Sequence, residues 1–419
     1  MTTLNTDSKR SSYSASMKNL YMRSAIHRIF QSIKIVLLSN KMTFLLAFGP
    51  LAILIHGLTS QQGWVFVFSL VGIIPMAERL GWATEQLAYN TGETAGGLLD
   101  AIGNATELII SIAAMKNGML RVIHQSLLGS ILSNMLLMLG FAFYSGGLVH
   151  PNKQQVFGKA LMNVGVLFNT VMILQIPAVL HFSQSELHFG NSELVLSRFS
   201  SCVMLTAYVV YLFFQLTSQN SMYTPIKEEE SNEESSDDEN DDDEKVPLIS
   251  KRESIIWLIV LTSWISILSD YLVNAIEGAS VALNMPVAFI SVILLPIVGN
   301  ATEHAGAIRF AMEDKLDLSL EMAIGSSTQI AMFGIPFCVV FGWICGYPVD
   351  LNFQPFETAT VFMTLIAVAF MLQEGNSNHY KGQMLLLCYL ILAATFYVHR
   401  DPLSSVVPPV NNGVVEDNP

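Results

Sequence analysis

The sequence predicts an all-α polytopic membrane protein of about 11 transmembrane helices, a first helix followed by two inverted five-helix repeats. Three observations support this. Of 419 residues, 52% are hydrophobic and only 13% are charged, with a mean hydropathy of +0.47, whereas about 25% of residues are charged in soluble proteins. Apolar runs of about 20 residues, the length that crosses a bilayer, recur along the chain. A five-residue polar segment also occurs twice.

The apolar runs, separated by short polar turns, predict the individual helices. They are placed at 42–58, 64–89, 93–116, 121–148, 157–182, 193–218, 253–283, 287–313, 317–345, 356–374 and 380–399. The predicted division is an N-terminal tail (1–33), a first transmembrane helix (34–60), a first repeat (61–220), an acidic linker (221–252), a second repeat (253–400) and a C-terminal tail (401–419). Lysines and arginines concentrate on one side of this topology, which predicts a cytosolic N-terminus and a cytosolic linker.

The net charge of -13 comes mostly from one acidic run, residues 228–244. Like charges at this density repel one another too strongly to pack. The run is interpreted as a solvated linker between the two halves, or alternatively as a cation-attracting or regulatory element. The rest of the chain is nearly balanced in charge, and no nucleic-acid partner is expected. The four cysteines lie in apolar stretches without CxxC spacing and are interpreted as buried free thiols.

The duplicated segment is Gly-Asn-Ala-Thr-Glu, at 103–107 and again at 299–303, which is 196 positions later. At the same offset, Gly129-Ser130 matches Gly325-Ser326. Two matched segments at one offset indicate a duplicated helix pair. With five crossings in each half, the halves must enter the membrane from opposite sides, and this arrangement places a substrate site near the midplane at the repeat interface.

An ionisable side chain within a membrane helix is a functional candidate by default, because its insertion is costly. Glu107 and Glu303 are two such residues in matching positions, and each has an asparagine three residues earlier on the same helix face. Hard oxygen ligands of this kind suit Ca²⁺, Mg²⁺ or Mn²⁺. The predicted metal ligands are Glu107, Glu303, Asn104, Asn300, Gly103, Gly299, Ser130, Ser133, Ser326 and Gln329.

Two carboxylates facing one another in an empty, low-dielectric site are not both expected to stay ionised, so at least one should hold a proton. Binding of a divalent cation then expels protons, which predicts exchange of the cation for H⁺. The candidates for proton coupling are Glu107, Glu303, Glu85 and His304. His304 is either a proton relay or a histidine hydrogen-bonded between helices.

Other functional classes fit the sequence less well. A cation channel would use the same oxygens, but duplicated halves around one site favour alternating access. Sodium-coupled exchange is a closer alternative. A purely structural alternative is that these polar residues only form contacts between helices. Since the sequence contains neither a phosphate loop nor a catalytic triad, we expect no enzymatic activity and no cofactor.

GNATELIIS (103–111) and GNATEHAGAI (299–308) resemble the two signature repeats of the cation/proton exchanger (CAX) family of Ca²⁺/cation antiporters. The resemblance continues through PMAERLGWATEQLAYNTGETAGGLL, GSILSNMLLMLG, AIEGAS and NFQPFETAT, and it is greatest to plant-type vacuolar members. It implies an eleven-helix antiporter that loads cytosolic Ca²⁺, with Mn²⁺ as a second cargo, into an acidic vacuole. It also implies a vacuolar-membrane location and metal binding between Glu107 and Glu303. Glu93 departs from the proline usual in plant relatives. A homo-oligomer is an alternative to a monomer.

Overall fold

The computed structural model describes residues 31–37, 41–59, 61–91, 104–150, 158–184, 191–222, 248–375 and 378–399. Regular structure in these ranges is helical throughout, without a strand. A 3₁₀ segment, Lys41–Ala47, precedes the first labelled helix. The helices are α1 (Phe48–Leu58), α2 (Gln62–Thr91), α3 (Ala105–Lys116), α4 (Leu120–Val149), α5 (Gly158–Phe182), α6 (Asn191–Met222), α7 (Lys251–Asn274), α8 (Ile276–Leu283), α9 (Val287–Gly299), α10 (Ala301–Met312), α11 (Leu316–Cys345), α12 (Pro355–Gln373) and α13 (His379–Val398).

The chain is a polytopic helical protein, as the sequence predicts. Within the described ranges, 8 helices are long and apolar enough to cross a membrane, and there are 9 if the bent pair α8 and α9 forms one span. Helix α1 is shorter, and the first part of the predicted helix 93–116 lies outside the described residues. The count of eleven therefore stays a prediction.

Two of the predicted helices are interrupted. The predicted helix 253–283 is broken at Ala275, between α7 and α8, where the sequence carries no helix breaker. The predicted helix 287–313 is broken at Asn300, between α9 and α10. Glycine and asparagine are both weak helix formers, which explains an interruption at Gly299-Asn300. Apolar periodicity alone missed both breaks because apolar residues lie on either side of each one.

Helices α4 and α6 differ most in their burial. In the most apolar part of α4, 89% of the residues are buried, compared with 22% in α6. Helix α4 packs on α9, α10 and α13, while α2 packs along α7. The π-helical segments Ser133–Met138, Ile290–Leu294 and Ile330–Gly334 interrupt α4, α9 and α11. π-Helical turns frequently occur at functional sites.

Close approach of α4 to α9 depends on one glycine. A Cβ added at Gly129 would clash with the backbone carbonyl of Val292 and would lie 2.8 Å from Pro296 Cγ. Small residues that let backbones approach are typical of helix contacts in membranes. Gly129 therefore sets the distance between α4 and the helix that leads into Asn300.

The outer surface of the helices is rich in exposed apolar side chains, including Phe199, Phe213 and Leu390. This composition suits contact with lipid. The prediction that all four cysteines are buried is wrong. Cys338 is buried, but Cys202, Cys345 and Cys388 are exposed, because an apolar helix in a membrane also carries hydrophobic residues on its outer face.

The end of the linker contacts the end of α2. Gln86 Oε1 accepts a hydrogen bond from the backbone N–H of Leu248 at 2.8 Å, and Asn90 Nδ2 donates to the Ile249 carbonyl at 3.1 Å. Ser250 and Glu253 form a capping box at the start of α7. The acidic run 228–244, the N-terminal 30 residues and the C-terminal tail lie outside the described residues.

Candidate functional site

The two glutamates of the duplicated segment lie in the first turns of two short helices. Glu107 is in the first turn of α3, after Asn104, and Glu303 is in the first turn of α10, after Asn300. A helix N-terminus carries a partial positive charge that stabilises a carboxylate in its first turn. The sequence placed both glutamates inside longer helices, and the structure places each at the start of a new one. Gly103 lies outside the described residues.

Ser326 of α11 joins the two halves of the site. Its Oγ lies 2.8 Å from Asn104 Oδ1 and 3.2 Å from Glu303 Oε2. A hydroxyl has one hydrogen to donate, so Ser326 can satisfy only one of these acceptors at a time. Asn104 Nδ2 in turn donates to Gln329 Oε1 at 3.0 Å and to the Ser326 carbonyl at 3.3 Å. These contacts bring four of the predicted ligands together.

Glu107 and Asn300 form the other part of the site. Glu107 is 8% exposed and Asn300 is 1% exposed. Their side chains are neighbours, and a Cβ added at Gly299 would lie 3.8 Å from Glu107 Oε1. Among the described residues, Glu107 Oε1 and Asn300 Oδ1 have no hydrogen-bond partner. Buried oxygens without a protein partner are unusual, and these two are available to ligate a cation.

A small cavity of about 10 Å³ adjoins these groups. Asn104, Glu107 and Gln329 supply its polar wall. Its remaining lining is apolar backbone and side chain, from Leu108, Leu127, Ile330, Phe333 and Gly334. A volume of this size holds about one water molecule. A cation that enters it must therefore shed most of its hydration shell and take its oxygen ligands from the protein.

The polar face of α4 lies beside this network. Ser133 Oγ lies 3.3 Å from His304 Nε2, and Ser130 is buried on the same helix. Asn134 Nδ2 donates to Ser326 Oγ at 3.2 Å, although Asn134 is not among the ligands predicted from the sequence. Its counterpart at the repeat offset is Ile330, so a search for matched polar pairs overlooked it. Its position four residues after Ser130, one turn along the same helix, was the available signal.

Glu85 lies elsewhere. It is exposed near the end of α2, where the Tyr89 hydroxyl donates to Glu85 Oε1 at 2.8 Å. It does not line the cavity. The structure therefore separates Glu85 from the other residues that the sequence selected for proton coupling.

The arrangement can hold one hard cation with few charged ligands. In the described part of the chain, three or more His, Cys, Asp or Glu side chains do not converge on a point that could hold a metal ion. The donors are instead carboxylate, amide and hydroxyl oxygens, the ligands that Ca²⁺ prefers. Because ligand charge tunes Ca²⁺ affinity, two carboxylates with neutral oxygens suit reversible binding.

Comparison with known proteins gives a consistent assignment. The family described as "Sodium/calcium exchanger protein" matches residues 62–217 and 253–398. Vacuolar cation/proton exchanger 5 of Arabidopsis thaliana is 64% identical over 397 residues, which cover 94% of this chain and 89% of that protein. Vacuolar cation/proton exchanger 2 of Oryza sativa subsp. japonica is 63% identical over 398 residues, covering 94% and 90%.

Solved structures have the same fold. Native YfkE matches with a TM-score of 0.70 at 30% sequence identity, and the match covers 85% of this chain and 100% of that one. The H⁺/Ca²⁺ exchanger CAX matches with a TM-score of 0.60 at 14% identity, covering 86% and 93%, which shows likeness of fold alone. The chain therefore belongs to the sodium/calcium exchanger protein family and groups with the vacuolar cation/proton exchangers.

Proposed function

We propose that this protein is a secondary active antiporter that exchanges Ca²⁺ for H⁺ by alternating access. The observation that carries the proposal is the contact of Ser326 of α11 with both halves of the site. Its hydroxyl lies beside Asn104, which precedes α3, and beside Glu303 in the first turn of α10, while Glu107 in the first turn of α3 lines the adjoining small cavity. The names of the plant relatives and of YfkE, described as a Ca²⁺/H⁺ antiporter, support the same activity. The match of the family to each half of the chain supports a duplicated architecture.

Charge balance explains how such a site couples the two fluxes. Glu107 and Glu303 together carry two negative charges when ionised, and either one Ca²⁺ or two protons neutralise them. An unneutralised pair in a low-dielectric site is disfavoured by several kcal/mol for each ion. The loaded forms are therefore the ones that reorient across the membrane. After it has released the cation, the protein must therefore take up protons before the site can reorient across the membrane.

Individual residues have distinct roles in this proposal. Glu107 Oε1 and Asn300 Oδ1 are free to bind the cation, while Ser326 donates its hydroxyl hydrogen to either Asn104 or Glu303. Gln329 completes the polar wall, and Gly299 leaves room beside Glu107. Ser130, Ser133 and His304 belong to the adjoining polar face of α4 and α10, where His304 is the candidate proton relay.

The proposed location is the vacuolar membrane, with the N-terminus and the acidic linker in the cytosol. The relatives' names support the compartment, and the distribution of lysine and arginine supports the orientation. The transported ions are then cytosolic Ca²⁺, with Mn²⁺ as a second cargo, and protons from the acidic lumen. The mechanism involves no cofactor and no enzymatic step.

The test is ⁴⁵Ca²⁺ uptake into proteoliposomes with an acidic interior. The wild-type protein is compared with Glu107→Gln and Glu303→Gln, and a protonophore is added in a parallel sample. Glu313→Gln is the matched control, because Glu313 is an exposed carboxylate at the end of the same α10 helix, paired with Arg309 and Lys315. We expect wild type and control to take up Ca²⁺ only with a pH gradient, and both site variants to lose uptake.

Other results would contradict the proposal. Uptake that persists without the pH gradient would indicate a channel. Uptake driven by an outward Na⁺ gradient at constant pH would indicate sodium-coupled exchange, the activity that the family description also includes. Uptake that survives both Glu→Gln substitutions would remove the paired carboxylates from the mechanism.

A further inference from the structure

A polar cluster lies beside the cation site, where α4, α10 and α13 meet. Ser133 Oγ lies 3.3 Å from His304 Nε2, and the Tyr389 hydroxyl adjoins Ser133. All three residues are buried, since Ser133 is 0% exposed, Tyr389 5% and His304 7%. Helix α13 packs on the π-helical segment of α4 that begins at Ser133. Tyr389 therefore reaches the site residues through Ser133.

The Tyr389 hydroxyl depends on Ser133 for a hydrogen bond. Elsewhere among the described residues, this hydroxyl has no hydrogen-bond partner. The hydroxyl of a buried tyrosine usually has one. A serine hydroxyl has two lone pairs and one hydrogen, so Ser133 can accept from Tyr389 while it bonds to His304. Contacts from two different helices then fix the direction of the Ser133 hydroxyl.

The repeat offset of 196 supplies a comparison with the other half of the site. The counterpart of Ser133 is Gln329, and the counterpart of His304 is Leu108. Gln329 and Leu108 both line the cavity, and Gln329 Oε1 accepts a hydrogen bond from Asn104. Ser133 instead contacts His304. Of the two matched side-chain oxygens, the one on α11 belongs to the cavity and the one on α4 is held by its neighbours.

The number of oxygen ligands distinguishes the two divalent cations that suit this site. Ca²⁺ takes about 6–8 oxygens in flexible geometry, whereas Mn²⁺ suits an octahedral set of about six. Ser133 matches Gln329 in the repeat, so rotation of its hydroxyl to another staggered position brings one more neutral oxygen toward the cation. An additional oxygen favours Ca²⁺ over Mn²⁺. The direction of the Ser133 hydroxyl therefore affects which cation binds.

We infer that Tyr389 is a positioning residue that determines cation specificity, because it holds the Ser133 hydroxyl on His304 and keeps it out of the ligand set of the cation. The inference rests on the proposed antiport, since it concerns the cation that the same site carries. Ser133, which the sequence predicts as a ligand, becomes one only when Tyr389 releases it. The site then binds its cation with fewer oxygens than the sequence offers, which admits Mn²⁺ beside Ca²⁺.

The test is competition between Mn²⁺ and ⁴⁵Ca²⁺ for uptake into proteoliposomes with an acidic interior, in wild type and in Tyr389→Phe. Phenylalanine keeps the buried ring and removes only the hydroxyl. The inhibition constant of Mn²⁺ divided by the KM of Ca²⁺ measures the preference for Ca²⁺. We expect this ratio to rise about 3- to 10-fold in Tyr389→Phe, the size of one additional neutral contact. A packing defect would lower the rate of uptake without changing the ratio.

A double substitution shows whether the effect of Tyr389 passes through Ser133. Tyr389→Phe is also introduced into the Ser133→Ala protein, where no hydroxyl is left to release. We expect Ser133→Ala and the double variant to have the same ratio. A ratio that rises in both backgrounds, or one that does not change in Tyr389→Phe, would overturn the inference. Wild-type uptake that ignores the pH gradient would instead overturn the proposed antiport.

Tyr397→Phe is the matched control, because it removes a tyrosine hydroxyl from the same helix. Tyr397 is exposed, and its hydroxyl donates to the Asn284 carbonyl at 3.4 Å. Neither of these two residues lines the cavity. We expect the ratio of Tyr397→Phe to equal that of wild type. A rise equal to that of Tyr389→Phe would show that the effect is not specific to the hydroxyl beside Ser133 and would overturn the inference.

Cation binding in detergent gives a second readout that does not need transport. A ligand that binds the folded state raises the melting temperature in proportion to its affinity and concentration. At the same Ca²⁺ concentration, the melting temperature of Tyr389→Phe should therefore rise more than that of wild type, whereas the rise with Mn²⁺ should stay the same. Equal Ca²⁺-dependent rises in the two proteins would refute the release of Ser133.

Discussion

Substitution of Gly129 by alanine tests the contact between α4 and α9. A Cβ at this position would clash with the Val292 carbonyl and would lie 2.8 Å from Pro296 Cγ. Neither neighbour is the mobile end of a flexible side chain, so the two helices must move apart. Overpacking of this kind costs about 1–3 kcal/mol. We expect the upper part of that range, because one of the clashing atoms belongs to the backbone.

The repeat offers a matched control in Gly325, which occupies the same position in the second half. Among the described residues, nothing lies within 4 Å of a Cβ added there. Alanine is favoured over glycine in a helix by about 1 kcal/mol. Gly325→Ala should therefore leave the stability of the protein unchanged or raise it slightly.

The assay is thermal unfolding in detergent, followed by size-exclusion chromatography of the protein that remains soluble. We expect the apparent melting temperature of Gly129→Ala to fall by roughly 5 °C and that of Gly325→Ala to stay within about a degree of wild type. Transport by Gly129→Ala should fall as well, since α9 leads directly to Asn300. Equal melting temperatures for the two variants would refute the close-packing argument.

Three further predictions concern polar contacts away from the cavity. Arg121→Met removes the cation that pairs with Glu357, which is 1% exposed. Thermal unfolding should then show a loss of about 3–5 kcal/mol, and Glu357→Gln should show a smaller loss. Ser250→Ala removes the N-cap of α7 and should cost about 1 kcal/mol by the same measurement; an unchanged melting temperature would contradict the capping contribution. Lys381 lowers the pKa of Glu374 below its ordinary value of 4.5, chiefly by a hydrogen bond. The interaction of Glu374 with Lys381 therefore stabilises the folded protein above pH 4.5, and this stabilisation is lost as the pH falls through the lowered pKa of Glu374. Lys381→Met should make the melting temperature less sensitive to acid pH.

Helix positions were predictable because each apolar run is bounded by polar or glycine residues. The prediction of 121–148 for a helix that spans Leu120–Val149 illustrates this. The interruptions at Ala275 and Asn300 were not predictable from hydrophobicity, because the bilayer favours apolar residues in the helical segments on both sides of each break. The exposed cysteines were assigned incorrectly for a related reason, since apolar residues in a membrane protein face lipid as well as the interior.

The pairing of the site residues depended on the repeat. Identical segments 196 residues apart identified Glu107 and Glu303, and the matched offset identified Ser326 and Gln329. Contacts that are not repeated were invisible to that reasoning. Arg121 and Glu357 lie 236 residues apart and have no counterpart pair in the other half. Their proximity follows from the packing of α4 and α12, which a single sequence does not specify.

The wide π-helical turns in α4 and α11 have a consequence for the history of the chain. The π-helical segment 133–138 of α4, shifted by the offset of the signature segments, covers the segment 330–334 of α11. A π-helical turn accommodates one more residue than an α-helical turn, so it rotates everything that follows by about 100°. Its presence at matching places indicates that the extra residue was already there in the ancestral unit before duplication. In the descendants, the polar half of each helix is therefore rotated by a fixed angle about the helix axis relative to the half that packs against its neighbours. Deletion of one residue there would rotate one half of the helix relative to the other by about 100°.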